Sequence, residues 1–199
     1  KFHRSESMAK TLSDAINIQV PYNMERIFYY LTGGDTALVS SWMLEMERTG
    51  RLTLPAAWLL EMQKTFASYR VDDDLMCKAL QQAWDRCSYL ADPHTSVGLS
   101  AAWQHCQDSR AARVPVAVLA TASPCKFEAA VKEALGPATW AAYLQSESFP
   151  AAAKQLLQAE ELPVLELRAL SSLEESQAAW EKKVRQLLDA HSAPSQAKL

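Results

Sequence analysis

The stretch Val114-Pro115-Val116-Ala117-Val118-Leu119-Ala120-Thr121-Ala122-Ser123-Pro124 decides the fold reading of this chain. Its run from Val114 to Ala120 is continuously apolar and rich in Val, the pattern of a parallel strand covered on both faces. Ser123-Pro124 then offers a cap followed by Pro at the first helical position, and the helix that follows runs to Leu135 and stops at Gly136. Strand, turn and helix in this order predict an α/β unit, and ligands in open α/β sheets sit at the carboxyl ends of such strands. Thr121 and Ser123 place two hydroxyls at that point, facing a helix start. The plainer reading of the same residues is a cap at Ser123 with Thr121 bonded to backbone.

Working outward, helix succeeds helix. Residues 14–20 alternate in apolar character and stop at Pro21, which predicts a short strand or extended segment. Asn23 can cap a helix whose inner face is Met24, Ile27, Phe28 and Leu31, closed by Gly33-Gly34. Asp35 or Thr36 can cap a second helix to Thr49, stopped by Gly50, and Leu54-Pro55 opens a third through Lys64. The acidic run Asp72-Asp73-Asp74 favours a helix start, and Met76, Leu80, Ala83, Cys87 and Leu90 continue it as a stripe ending before Asp92-Pro93. A further helix spans His94 to Gln107.

Beyond Gly136, residues 140–158 read as helix with a break near Phe149-Pro150, and residues 163–170 alternate like a strand with one wet side. A last helix turns Leu173, Trp180, Val184, Leu187 and Leu188 inward. The fold class is therefore α/β, helix-rich with a few mostly parallel strands. It forms one region over residues 1–192 with a helical insertion around 35–110, then a flexible tail, 193–199.

The totals exclude several functions. Of 199 residues, 49% are apolar and 22% charged, an ordinary globular balance. A net charge of -3 leaves no basic surface to release counterions from a phosphate backbone, so no nucleic-acid partner is expected. No apolar run reaches the roughly twenty residues of a bilayer span. The absence of an initiator Met hints at a processed or excised piece. The four cysteines, Cys77, Cys87, Cys106 and Cys125, form no metal-binding pair and read as reduced thiols, and no metal is expected. His3, His105 and His191 stand alone, and the six tryptophans are spaced as core residues.

Two more stretches carry candidate chemistry. Asp92-Pro93-His94-Thr95 gathers an acid, an imidazole and a hydroxyl at a helix start, or simply caps that helix. Pro21-Tyr22-Asn23-Met24-Glu25-Arg26 offers an amide at Asn23 and a bidentate fork at Arg26 for a carboxylate or phosphate, or else a capped surface helix with an Arg-Glu pair.

In this order the three stretches resemble the threonine synthase family of fold-type-II pyridoxal-phosphate enzymes. Residues 13–26, Ser-Asp-Ala-Ile-Asn-Ile-Gln-Val-Pro-Tyr-Asn-Met-Glu-Arg, are similar to that family's S-P-x-M-D-I-x-V-x-x-N-x-E-R. Residues 92–98 resemble its D-P-H-T-A-V-G, and residues 119–127 its L-x-T-A-H-P-A-K-F. The likeness covers roughly residues 2–135 and looks nearest to the vertebrate threonine-synthase-like group of phospho-lyases.

The resemblance implies a partial fold-type-II enzyme. Thr121 would contact the pyridine nitrogen of pyridoxal phosphate, Asn23 and Arg26 would line the substrate side, and His94 and Thr95 would lie beside the cofactor. The Schiff-base lysine and phosphate cup of such enzymes lie upstream of the matched stretch, and Lys126 holds the A-K-F place instead, so no catalytic residue is assigned here. The implied parent activity is elimination of phosphate from O-phosphothreonine- or O-phosphohomoserine-type substrates, giving a 2-keto acid and ammonia, with this chain inactive alone. Ser123 for His, Cys125 for Ala and Asn17 for Asp depart from the family pattern. The alternative is a secreted, cytokine-like signalling protein from a truncated transcript of the same family, which would engage a cell-surface receptor. The compartment is cytoplasmic under the first reading and extracellular under the second, and an exposed docking face would permit self-association.

Overall fold

The structure, a computed structural model, describes residues 2–107, 115–159 and 166–192, with side chains to Asp189. It forms two compact units, residues 1–157 and 158–199. The first opens on β1 (Phe2–His3), then α1 (Met24–Leu31), α2 (Thr36–Thr49), β2 (Arg51–Leu52), α3 (Ala56–Thr65), α4 (Asp73–Cys87) and α5 (Pro93–Gln107). It continues through α6 (Glu128–Leu135), α7 (Pro137–Gln145) and α8 (Ala151–Leu157). The second unit holds α9 (Leu173–Ser192).

Local chemistry sets the helix ends. Asp35 accepts from the Leu38 amide at 2.9 Å and Asp72 from the Leu75 amide at 3.0 Å, so each carboxylate satisfies a first-turn donor that has no carbonyl partner. Gly50 stops α2 in the left-handed region at φ 67°, where a Cβ would be strained. Asn23 precedes α1 as expected, but its side chain makes no capping bond.

Two apolar clusters hold the first unit. Phe28 of α1 meets Trp42 of α2 and Phe2 of β1 edge-on, at ring separations of 5.5 and 5.7 Å, and Val39, Met43, Met46, Leu52 and Leu54 close the cluster around them. Val131, Trp140 and Phe149 form the second, joining α6, α7 and the turn before α8. α4 and α5 pack together, and Gln81 of α4 donates to the Ala134 carbonyl of α6 at 2.7 Å.

Several expected elements are corrected. The described sheet is one antiparallel pair, Phe2 opposite Leu52 and His3 opposite Arg51, and no parallel pair occurs among the described residues. Residues 115–120 form no strand: they lie unpaired, with Leu119 79% exposed. Parallel strands need neighbours on both sides and cover on both faces, and no described segment supplies them. One contact does hold this segment. Val118 Cγ1 lies only 3.0 Å from where a Cβ on Gly98 would sit, so the bare backbone of α5 admits it.

Residues 14–20 are not a strand either. Asp14–Ile16 is a 3₁₀ turn, closed by bonds from the Ile16 amide to Ser13 and the Asn17 amide to Asp14, each 3.0 Å. Ser123 does not cap a helix through its side chain. A 3₁₀ turn, Pro124–Lys126, intervenes, and α6 starts only after Phe127. Of the strand expected over 163–170, residues 163–165 lie outside the described residues and 166–170 form no strand, the Leu170 amide donating to the Ser176 hydroxyl at 2.8 Å and the Arg168 carbonyl accepting from Trp180; Val114 and the tail 193–199 also lie outside the described residues. On α9 most of the expected inward set is exposed, with Leu173 at 69% and Leu188 at 60%, while Trp180 is half-buried and its indole N–H donates to the Arg168 carbonyl at 3.0 Å. The side chain that is buried there is Ser176.

Candidate functional site

The N-terminus of α5 is where the motifs meet. Asp92 is buried, and its Oδ1 accepts from the backbone amides of His94 at 2.9 Å and Thr95 at 3.1 Å, which fulfils the capping reading. Its Oδ2 accepts a short bond from the Thr95 hydroxyl. That hydroxyl, its proton committed to a carboxylate, presents its lone pairs to the backbone amide of Thr121, 3.1 Å away. The chain Asp92 to Thr95 to Thr121 therefore fixes the backbone of the third motif against the second.

His94 ties in the first motif. Its Nδ1 is 2.5 Å from the Ser13 hydroxyl, and its Nε2 is 3.7 Å from an Asp14 carboxylate oxygen. The Phe127 ring, from the end of the third motif, meets the imidazole edge-on at 4.8 Å. The His94 side chain is 14% exposed, so the ring is a packed junction among three segments that are distant in sequence. Ser13, Asp14 and His94 do not make a hydrolase. Ser13 is 1% exposed and offers no nucleophile to a substrate.

Thr121 faces outward. The residue is exposed, and among the described residues its hydroxyl has no partner, while its amide is pinned from behind. Asn23 and Arg26 lie elsewhere, on the wall of a cavity of about 310 Å³ shared with Tyr22, Glu25 and Tyr29. The structure does not bring them into one cavity with Thr121. Arg26 makes no ion pair among the described residues, which sets aside the Arg-Glu reading.

Of the three departures from the family pattern, two touch each other: Ser123 donates to the Cys125 sulfur at 3.1 Å. Asn17 staples its own loop, its Oδ1 accepting from the Thr11 hydroxyl at 2.8 Å. Ser13 and Phe127 were missed as site residues in sequence. The available signal was a serine followed by an acid at the head of one motif and an aromatic closing another. All four thiols are free, and no cluster of metal-binding side chains occurs among the described residues.

Comparison with known proteins places this chain among relatives of one family. The family model described as "Threonine synthase, C-terminal" matches residues 95–187. "Threonine synthase-like 2" of Rattus norvegicus is 36% identical over 147 residues, covering 73% of this chain and 30% of that protein. The Homo sapiens protein of the same name is 35% identical over 139 residues, covering 69% and 28%. A PLP-bound threonine synthase from Brucella melitensis superposes with a TM-score of 0.65 at 28% identity, over 80% of this chain and 32% of that one. Yeast threonine synthase shares the fold at a TM-score of 0.71 and 24% identity, over 92% and 38%. The chain spans about 30% of the length of the curated relatives it matches. With its second and third motifs bonded through Thr95 and its first docked on His94, the chain belongs to the threonine synthase family, as a stretch related to that family's C-terminal part.

Proposed function

We propose that this chain supplies the pyridine-side wall of a pyridoxal-phosphate site in a threonine-synthase-like phospho-lyase. One observation carries the reading: the exposed Thr121 hydroxyl sits on a backbone locked by the Asp92–Thr95 pair. These residues fit the cofactor, because a neutral hydroxyl on a fixed main chain suits a ring nitrogen and needs no counter-charge. Bound there, the cofactor supplies the electron sink for losing phosphate from an O-phosphothreonine- or O-phosphohomoserine-type substrate.

The chain's own residues position and exclude. Thr121 would hold the ring nitrogen through a neutral hydroxyl, which would favour its protonation less than a carboxylate does. Thr95, bonded to Asp92, keeps Thr121 in place, and His94 packs against Phe127 at the end of the same motif. Arg26, with its fork free, and Asn23 bind the substrate's carboxylate or phosphate. The covalent lysine is contributed from outside the matched stretch, so this chain alone neither holds the cofactor covalently nor turns over substrate.

Phosphate release from O-phosphothreonine tests this. The chain alone should release none. Mixed with or fused to the upstream portion of a threonine synthase-like 2 protein, it should release phosphate, and Thr121→Val should lower the rate by about 10-fold, the cost of one lost hydrogen bond. Release by the chain alone, or an unchanged rate in Thr121→Val, overturns the proposal.

A further inference from the structure

A second concavity begins two residues past Thr121, at Ser123 and Pro124 of the third motif. A cleft of about 560 Å³ opens between the C-terminus of α4, the turn after Thr121 and the length of α7. Its size suits a small organic molecule. Six hydroxyls line it, from Ser88, Ser123, Thr139, Tyr143, Ser146 and Ser148, and none of its described lining residues carries a charge. Trp84 and Tyr89 also line it, 38% and 47% exposed.

The hydroxyls have a defined polarity. Thr139 donates to the Leu135 carbonyl at 2.9 Å, Ser146 to the Tyr143 carbonyl at 2.7 Å and Ser123 to the Cys125 sulfur at 3.1 Å. With these protons directed into the protein, the oxygens can only accept from a ligand. Tyr143 is different. Burial pushes its phenol up from the ordinary value, opposed by the neighbouring Ser123 hydroxyl and aided by negative charge at Cys125, so the group stays a neutral hydroxyl. Its ring is wedged against Phe149 at 5.0 Å and Trp140 at 5.8 Å, which makes that wall rigid. The nearby ammonium of Lys154 donates to the Ser146 carbonyl at 3.1 Å and does not line the cleft.

The position also matters. Ser123 and Cys125, two places where this chain departs from the family's His and Ala, are bonded to each other at this cleft. A serine in place of an imidazole leaves space and removes a titratable group.

We propose that this cleft is a binding site for a neutral sugar ring. Such a ring presents several hydroxyl donors on its rim and an apolar C–H face, which suit a lining that combines acceptor oxygens with the partly exposed rings of Trp84 and Tyr89. An anion finds no lining cation to offset its desolvation. A plain apolar ligand would leave the hydroxyl oxygens desolvated without a donor.

Titration of the full chain with methyl glucopyranoside, followed by NMR, tests the proposal. The indole N–H signal that disappears in Trp84→Phe should shift saturably, with a Kd on the order of 1–10 mM. Glucose 6-phosphate should bind more weakly than the neutral glycoside, and so should phenol. Ala142→Trp, on the exposed cleft wall, should abolish the shift with an unchanged circular dichroism spectrum. Ser148→Leu, on the rim, serves if that variant fails to fold. No saturable shift at ~50 mM glycoside overturns the assignment. Tighter binding of the phosphorylated sugar or of phenol, or binding that persists in the folded variants, overturns it equally.

Discussion

Thr95 is a small residue with two partners of unequal demand. Asp92 is buried and needs every donor it has, while the Thr121 amide needs one acceptor. Thr95→Val keeps the shape and removes both bonds, and the expected loss in a urea titration is about 1–3 kcal/mol. Thr95→Ser keeps the hydroxyl and should stay within about 1 kcal/mol of the native chain. Equal losses in the two variants would show that the methyl group, and not the bond relay, matters. The thiols make a second residue-scale contrast. Cys77 is pushed up by burial first and then by Glu133, Asp73 and Asp74, while Cys87 and Cys106 are exposed. Only the thiolate attacks an alkylating agent, so at pH 8 Cys77 should be labelled with iodoacetamide several-fold more slowly than the other two by mass spectrometry. The same raised value places a pH dependence on folding. The folded chain holds this proton more tightly, so its contribution is full below the thiol's ordinary value and declines as pH rises through it. Thr95, His94 and Thr121 were legible as site residues because their types and spacing form quoted motifs. Ser13 was not, since a serine's role beside an imidazole 81 residues away depends on tertiary placement.

At the scale of elements, the helices were readable and the strands were not. Caps and stops are local chemistry: Asp35, Asp72 and Gly50 act within four residues of themselves, and each stood where the sequence placed it. Asp72→Ala should therefore cost about 1 kcal/mol in thermal or urea unfolding, and Asp72→Asn nearly nothing. A larger loss in Asn would mean that charge at the helix start, not the accepted hydrogen bond, dominates. A strand is completed by another strand, so residues 115–120 have strand composition without strand pairing. The run 14–20 failed differently. Its alternation was real, yet Ser13 bonded to His94 and Asn17 bonded to Thr11 fold it into a tight turn before any ladder can form. On α9 the helix forms as its periodicity predicts, but among the described residues its apolar stripe is only partly covered: Trp180 is half-buried while Leu173 and Leu188 stand exposed.

For the whole molecule, one part of the chain's fold depends on what lies around it. The chain covers about 30% of the curated relatives it matches, yet its helices hold two apolar clusters of their own. The unpaired run after Pro115 is the exception. Among the described residues its backbone donors and acceptors find no partner, and its side chains Val116 and Leu119 stand 44% and 79% exposed, with no charge between them. A β-rich, uncharged segment of this kind seeds cross-β stacking between copies. Stored concentrated, the purified chain should form thioflavin-positive fibrils after a lag that shortens with dose, and Leu119→Lys should lengthen that lag severalfold with no change in melting temperature. Shelf life would thus be governed by five consecutive residues and not by the stability of the helical body that carries them.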